Sequence, residues 1–252
     1  MPDPILIPEA LAREHAAPKP GESAGESARR IGKAWVQTFI ELAGLSSSDR
    51  ILDLGCGPGR MAIGIGERFD WTNRYLGFDI DRAGIEFAQR AITAPHPEFR
   101  FEHLDVRNHY YNPRGATDSL ATTFPAADGT FDFAFATSLF THFFSAEFRR
   151  YVAEVSRCLA PGGRFLATFF LLDSIAADAA RRGVEVRRFT HRIDEHATAQ
   201  NRNSPGKAVA FRFTFVEATL MAAGFRDIVH HCGTWGGHPG RHSQDIVVAH
   251  KR

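Results

Sequence analysis

Residues 50–69 set a short β-type run, a glycine-rich turn and an apolar-periodic helix back to back, and the chain then repeats that order. Residues 50–54 run into Gly55-Cys56-Gly57-Pro58-Gly59, after which Met61, Ile63, Ile65 and Phe69 recur at helical spacing. A second unit follows, with residues 75–78 as strand, Asp79 and Asp81 at its carboxyl end, and 83–92 as helix. A third strand, 99–104, ends at Asp105. Residues 131–136 read as a fourth strand and 147–159 as a helix with apolar Phe148, Tyr151, Val152 and Val155. After the turn Pro161-Gly162-Gly163, a fifth strand is expected over 163–172, then a helix over 215–223 and strands over 225–231 and 246–249. Alternating strands and helices imply an α/β fold with a parallel sheet covered on both faces. The last two strands are joined only by CGTWGGHPGRHSQ, too short for a crossover helix, so they pair as an antiparallel hairpin. The expected sheet has seven strands, one of them reversed.

Departures from this rhythm mark the accessory segments. Pro2, Pro4, Pro8, Pro18 and Pro20 crowd the start, so residues 1–25 read as an irregular N-terminal arm. From Glu26, the positions Ile31, Trp35, Phe39 and Leu42 give a helix with one buried face, stopped at Gly44. Residues 26–252 read as a single domain with insertions at about 107–130 and 173–210, where turn formers replace apolar periodicity.

Composition excludes several classes. The 30 Lys and Arg nearly cancel the 29 Asp and Glu, so no whole-molecule field would draw in nucleic acid. No apolar run nears the roughly 18 residues of a membrane span, and the first residues lack the basic start of an export signal. Cys56, Cys158 and Cys232 lie far apart with no Cys-x-x-Cys pair, which fits a reducing, cytoplasmic compartment. Phe is abundant, at 22 residues, and demands either a large core or an aromatic-lined site. The central strands, with Phe131, Phe133, Phe135, Phe165, Phe169 and Phe170, account for much of it, whereas Phe140, Phe143 and Phe144 are expected to exclude water beside a site.

In such sheets ligands bind outside the carboxyl ends of the strands, where strand order reverses. A glycine turn there suits either a dinucleotide or S-adenosylmethionine. The dinucleotide fingerprint needs Gly-x-Gly-x-x-Gly, but here Arg60 holds the third position and Gly59 comes one residue early. Asp79, at the next strand end, is placed to accept both ribose hydroxyls, and Asp105 to meet an adenine amino group.

Ile51-Leu-Asp-Leu-Gly-Cys-Gly-Pro-Gly59, Gly77-Phe-Asp-Ile-Asp81, Leu104-Asp105-Val106, residues 131–142 and Leu159-Ala-Pro-Gly-Gly-Arg-Phe165 together resemble the motif set of class I S-adenosylmethionine-dependent methyltransferases. The resemblance implies the Rossmann-like methyltransferase sheet and S-adenosylmethionine as cofactor. It sets the turn with Asp53, Gly55, Cys56, Gly57 and Gly59 beside the methionine part, and Asp79 with Ile80 at the ribose. Asp105 and Val106 fall at the adenine, and Ala136, Thr137 and Ser138 near the amino group. The chain ending and the Tyr-Asn-Pro-x-Gly segment also resemble an actinobacterial-type group that includes sugar and glycolipid O-methyltransferases. That similarity implies a small-molecule or glycan acceptor.

A hydroxyl acceptor must lose its proton as the new bond forms, and a neutral imidazole, with a natural pKa of about 6.5, is suited to take it. His142, just past the fourth strand, is the candidate general base, with a bracing role as its alternative. Tyr110 and Tyr111 offer stacking faces within the 107–130 insertion, with Phe144, Trp235 and His238 as further candidate acceptor contacts. A divalent cation is possible but not indicated: among the strand ends that a cation would use, only Asp173 supplies a carboxylate, and one carboxylate cannot fill six oxygen positions. The chain is compatible with a homodimer. Two competing readings stand beside the O-methyltransferase: an NAD(P)-dependent oxidoreductase on a related sheet, and a non-catalytic module that keeps the cofactor pocket.

Overall fold

A computed structural model of the chain describes residues 4–172, 183 and 187–252. Helix α1 (Glu9–Ala12) leads through a 3-10 turn (Arg13–His15) to α2 (Ala24–Ala43), followed by β1 (Arg50–Leu54), α3 (Arg60–Arg68), β2 (Arg74–Asp79), α4 (Arg82–Ala88) and β3 (Phe99–His103). Then come β4 (Phe131–Ala136), α5 (Ser145–Cys158), β5 (Leu159–Phe169), β6 (Leu171–Leu172), β7 (His191–Arg192), β8 (Ala197–Ala199), β9 (Val209–Arg212), α6 (Phe213–Ala222), β10 (Phe225–His231) and β11 (Asp245–Lys251). The expected seven-stranded sheet is present, in the order β10-β11-β5-β4-β1-β2-β3. β1 pairs with β2 and β2 with β3 in parallel, whereas β11 is antiparallel to both β10 and β5. None of the helices among the described residues is long and apolar enough to cross a membrane.

Two compact units make up the chain, one running to Leu104 and taking in Phe131–Phe133, the other comprising 105–130 and 134–252. In the first, α2 begins at Ala24 rather than at Glu26, because Ser23 and Glu26 form a reciprocal capping box. The arm before it is also less irregular than its prolines suggest, since residues 9–15 turn helically. Gly44, at φ 63°, closes α2. α2 crosses α3 at a pair of glycines: a Cβ on Gly32 would lie 2.3 Å from the Arg60 carbonyl oxygen, and one on Gly64 would lie 2.8 Å from the Gly32 carbonyl carbon. Any side chain at either place would push α3 away, and with it the turn that precedes α3. Asp132 takes the Arg50 guanidinium and backbone N–H at 2.8–2.9 Å.

In the second unit, Phe140 is fully buried, stacked on Phe169 and edge-on to Phe148. Phe143 is buried edge-on to Tyr151. These two phenylalanines therefore belong to the core under α5 and do not screen a site from water, as their place after β4 suggested. Phe131, Phe133, Phe135, Phe165, Phe169 and Phe170 are buried as expected.

The run expected as one fifth strand is two. β5 ends at Phe169, and Leu171 and Leu172 pair in parallel with Phe211 and Arg212 in a second, four-stranded sheet of order β6-β9-β8-β7. The continuous apolar stretch from Phe165 to Leu172 hides the break, because both sheets bury that segment. β7, β8 and the start of β9 fall within the segment read as irregular over 173–210. These strands are only two to four residues long, too short to show an alternating pattern. Asp173, the carboxylate weighed as a metal ligand, lies outside the described residues.

Asp245 is the polar anchor of this unit. Its buried carboxylate accepts the Leu171 amide (2.7 Å), the Gly233 amide (2.8 Å) and the Trp235 indole N–H (2.6 Å), and His230 Nε2 lies 3.1 Å away. Asp245→Ala would strand three buried donors and should lower the unfolding free energy by about 3 kcal/mol. Urea unfolding checks this, and a loss below about 1 kcal/mol would mean that other groups satisfy those donors.

Candidate functional site

The first unit carries the glycine turn. Leaving β1, the amides of Gly55 and Cys56 both donate to the Phe78 carbonyl, at 3.0 and 3.2 Å, which folds the turn back onto β2. Gly57, at φ 50°, then donates its amide to Asp79 Oδ2 at 2.7 Å, and the Asp81 amide donates to Asp79 Oδ1 at 2.8 Å. The cap of α4 is Asp81, which accepts from the Ala83 amide at 3.1 Å. Asp79 is thus not spent on a helix terminus. With the Ile80 backbone also contributing, its two oxygens still keep acceptor capacity for a hydroxyl donor. Burial pushes its carboxyl upward, and the backbone donors resist that. Ile80, next to it, is half-buried, and its carbonyl lies 3.2 Å from His103 Nε2.

Asp53 sits below the turn, almost fully buried, with one oxygen accepting the Tyr75 hydroxyl and the other, Oδ1, without a partner among the described residues. Burial raises its pKa to about 8, opposed mainly by the Tyr75 bond, so at neutral pH it is largely protonated. Cys56 is buried too, and burial holds its thiol well above the usual range, so it is no nucleophile at neutral pH. Arg60, first residue of α3, donates Nη1 to the His15 carbonyl at 2.7 Å. Burial brings its pKa down to about 10, which still leaves it charged at neutral pH. Sequence spacing had no means to find His15 or this use of Arg60, because His15 lies in the arm, remote in sequence from the turn it reaches.

The second unit gathers the expected acceptor residues. Asn108 Oδ1 accepts the amides of Tyr110 and Tyr111, each at 2.9 Å, while Asn112 Nδ2 donates to Asp105 Oδ1 (2.9 Å) and to the Val106 carbonyl (3.1 Å). This Asx-type wrapping holds the first part of the insertion, and a 3-10 turn over Ser119–Ala121 follows. Ala136 and Thr137 are buried at the end of β4. Ser138, at φ 59°, stands in the left-handed region that an L side chain seldom adopts. Its amide donates to Thr168 Oγ1 of β5 at 2.7 Å and its hydroxyl donates to Gln244 Oε1, just before β11, at 3.2 Å, so the strain is held from two segments.

His142 Nδ1 lies 3.0 Å from the Gly206 carbonyl oxygen. A carbonyl only accepts, so Nδ1 carries the proton and Nε2 carries the basic lone pair. Burial lowers the imidazole pKa below 6.5, opposed by backbone hydrogen bonding, and keeps it neutral at pH 7. The Tyr111 ring stands edge-on to His142 at 4.9 Å, and the His109 ring stacks on Phe144 at 4.8 Å. Gly206 is the meeting point: a Cβ there would come within 3.5 Å of Tyr110 Cβ and 3.9 Å of the His142 carbonyl oxygen. Tyr110 and Tyr111 are 42% and 49% exposed, available to a ligand. Trp235 does not join them. It is buried against Phe170 and Phe189 with its N–H bound to Asp245, so it packs the core and offers no face to an acceptor. His238 is half-buried in the β10–β11 connection.

Residues 51–163 match the model of a methyltransferase domain family. Over 136 residues the chain is 32% identical to a demethylmenaquinone methyltransferase of Thermus thermophilus, covering 54% of each chain. It is 31% identical over 134 residues to phthiotriol/phenolphthiotriol dimycocerosates methyltransferase 1 of Mycobacterium ulcerans, covering 52% of this chain and 40% of that one. The chain thus spans about half or less of the length of these curated relatives. Among solved structures, the PH0226 protein of Pyrococcus horikoshii shares the fold at a TM-score of 0.58 and 17% identity, covering 90% of this chain and 91% of that one. The glycopeptide N-methyltransferase MtfA, solved with S-adenosyl-L-homocysteine, shares it at a TM-score of 0.56 and 17% identity, covering 88% and 90%.

The protonated Asp53 has a consequence for stability. Its folded pKa, about 8, lies above the unfolded carboxyl value of 3.8, so the unfolded state binds fewer protons in that window and stability falls as pH rises through it. Asp53→Asn should therefore gain stability relative to the parent at pH 8 compared with pH 5. Urea midpoints at the two pH values test this, and a constant difference would mean that Asp53 does not titrate in this window.

Proposed function

We propose that this chain, a class I methyltransferase by its fold and by the match of residues 51–163, catalyses S-adenosylmethionine-dependent methylation of a hydroxyl on a sugar, glycan or other small polar metabolite. Two features of the first unit fit the cofactor. The Asp79 carboxylate keeps acceptor capacity for a ribose hydroxyl, and buried Asp53 Oδ1 has no partner among the described residues. Asp105 and Val106 are assigned to the adenine, and Ala136, Thr137 and Ser138 to the amino-acid end. Bound there, the cofactor supplies a methyl group on a sulfonium, and methyl transfer discharges that positive charge. The protein's part is to align the reacting atoms and keep water away.

The observation that carries the choice of a hydroxyl acceptor is the His142 tautomer. Its Nδ1–H is committed to Gly206, so Nε2 is left as a neutral base that can take the acceptor's proton. Tyr110 and Tyr111 give the flat faces on which a ring-shaped acceptor would stack. The relatives named above act, by their names, on demethylmenaquinone, on dimycocerosates and on a glycopeptide nitrogen. A carbon or nitrogen acceptor makes different demands on a base, and this separates the readings.

Labelled S-adenosylmethionine offered with panels of glycosides, phenols and amines should deposit label on a hydroxyl. His142→Ala is expected to lower kcat about 10²- to 10⁴-fold with little change in KM. The parent's kcat should fall as pH drops through the lowered His142 pKa, because protonation removes the base, and stay level above pH 7. Label appearing only on amines, or a pH profile unaltered in the variant, would overturn the hydroxyl reading.

A further inference from the structure

The N-terminal arm lays a side chain on the glycine turn. A Cβ added at Gly57 would stand 3.1 Å from both Cε1 and Nε2 of His15, so the imidazole is in contact with the turn itself. The approach is built rather than incidental. The 3-10 turn Arg13–His15 follows α1 directly, and Arg60 of the turn's own helix holds the His15 carbonyl. The arm is fastened to α2 on either side: Glu9 accepts the Ala24 amide at 3.0 Å, the Ala17 amide donates to Ser27 Oγ at 3.1 Å, and Glu22 pairs with Arg30 at 2.8 Å. Gly25 completes the fit, since a Cβ there would lie 2.6 Å from the Ile7 carbonyl oxygen.

All these bonds position His15, yet none is made by its ring. Among the described residues, the imidazole has no hydrogen-bond partner. Burial, reinforced by the Arg60 charge and partly countered by Asp81, lowers its pKa to about 4 and keeps it neutral. The ring is half-buried and uncommitted, so its nitrogens are open to a polar ligand. Beneath the same turn, Asp53 Oδ1 is likewise buried and unpartnered. A buried unpartnered oxygen and an uncommitted imidazole at one glycine turn point to a polar ligand there.

We propose that His15 is a cofactor-binding residue whose imidazole hydrogen-bonds the amino-acid head of the molecule held on the Gly55–Gly59 turn. This rests on the methyltransferase reading. A neutral imidazole presents one donor and one acceptor, and the amino-acid head offers a carboxylate and an ammonium to match. Asp79, bonded to the Gly57 amide, is left for the ribose. The arm is then part of the binding site.

Calorimetry with two probes isolates the contact: S-adenosylhomocysteine, which has the amino-acid head, and 5′-methylthioadenosine, which lacks it. His15→Ala should weaken S-adenosylhomocysteine about tenfold and leave 5′-methylthioadenosine unchanged, with the ligand-free melting temperature preserved. His15→Gln, which keeps a neutral donor and acceptor, should recover most of the loss. Equal weakening of both probes, or unchanged binding of S-adenosylhomocysteine, would overturn the proposal and leave His15 a packing residue. A parent protein that binds neither probe would instead remove the methyltransferase reading, and this proposal with it.

Discussion

The hydrogen bond from the Gly57 amide to the Asp79 carboxylate couples the two sequence features on which the site depends. It runs between the glycine turn after β1 and the acidic end of β2, at 2.7 Å. A carboxylate half-buried at a strand end needs donors to stay there. The turn supplies one, and the Asp81 and Ile80 backbone supplies more. In return, the carboxylate fixes the turn in a left-handed conformation that glycine adopts without cost. The close crossing of α2 and α3 at Gly32 and Gly64 holds the far side of that turn, because α3 starts where the turn ends. Sheet register, helix packing and turn geometry therefore meet at a few atoms.

Burial then sets the electrostatics. Asp53 is neutral at pH 7, Cys56 is a thiol, His15 is neutral, and Arg60 remains charged. Of the buried polar atoms around the turn, Asp53 Oδ1 has no partner among the described residues. The second unit solves a different problem. Asp245 gathers donors from β6, from the β10–β11 connection and from the Trp235 indole, tying a small second sheet to the strand that carries it. Nearby in sequence to the core phenylalanines, His142 is held in one tautomer by a backbone carbonyl of a distant turn. One imidazole is positioned through its backbone and the other through its ring, and only the second is thereby committed to a proton arrangement.

The strand–turn–helix units were legible because they carry strong local signals: apolar periodicity, glycine punctuation and acids at strand ends. The expected adenosyl-site residues from Asp53 to Ile80 fall together around one turn for the same reason. Three features were not legible. Leu171 and Leu172 look continuous with β5, since an apolar run reads alike whether one sheet or two bury it. Phe140 and Phe143 look like site residues from their place after β4, yet pack under α5. Trp235 looks like a loop aromatic, and only the Asp245 bond draws it inside.

The sequence by itself determined the alternation of strands and helices, the glycine turn and the carboxylate that answers it, because each rests on residues within a few positions of one another. The tertiary structure decided which side chains reach the turn and which face inward. His15 reaches Gly57 from the arm, Gly206 orients His142, and Asp245 buries Trp235, all through contacts between segments far apart in the chain. Such contacts depend on packing in three dimensions, which leaves no periodic trace along the chain.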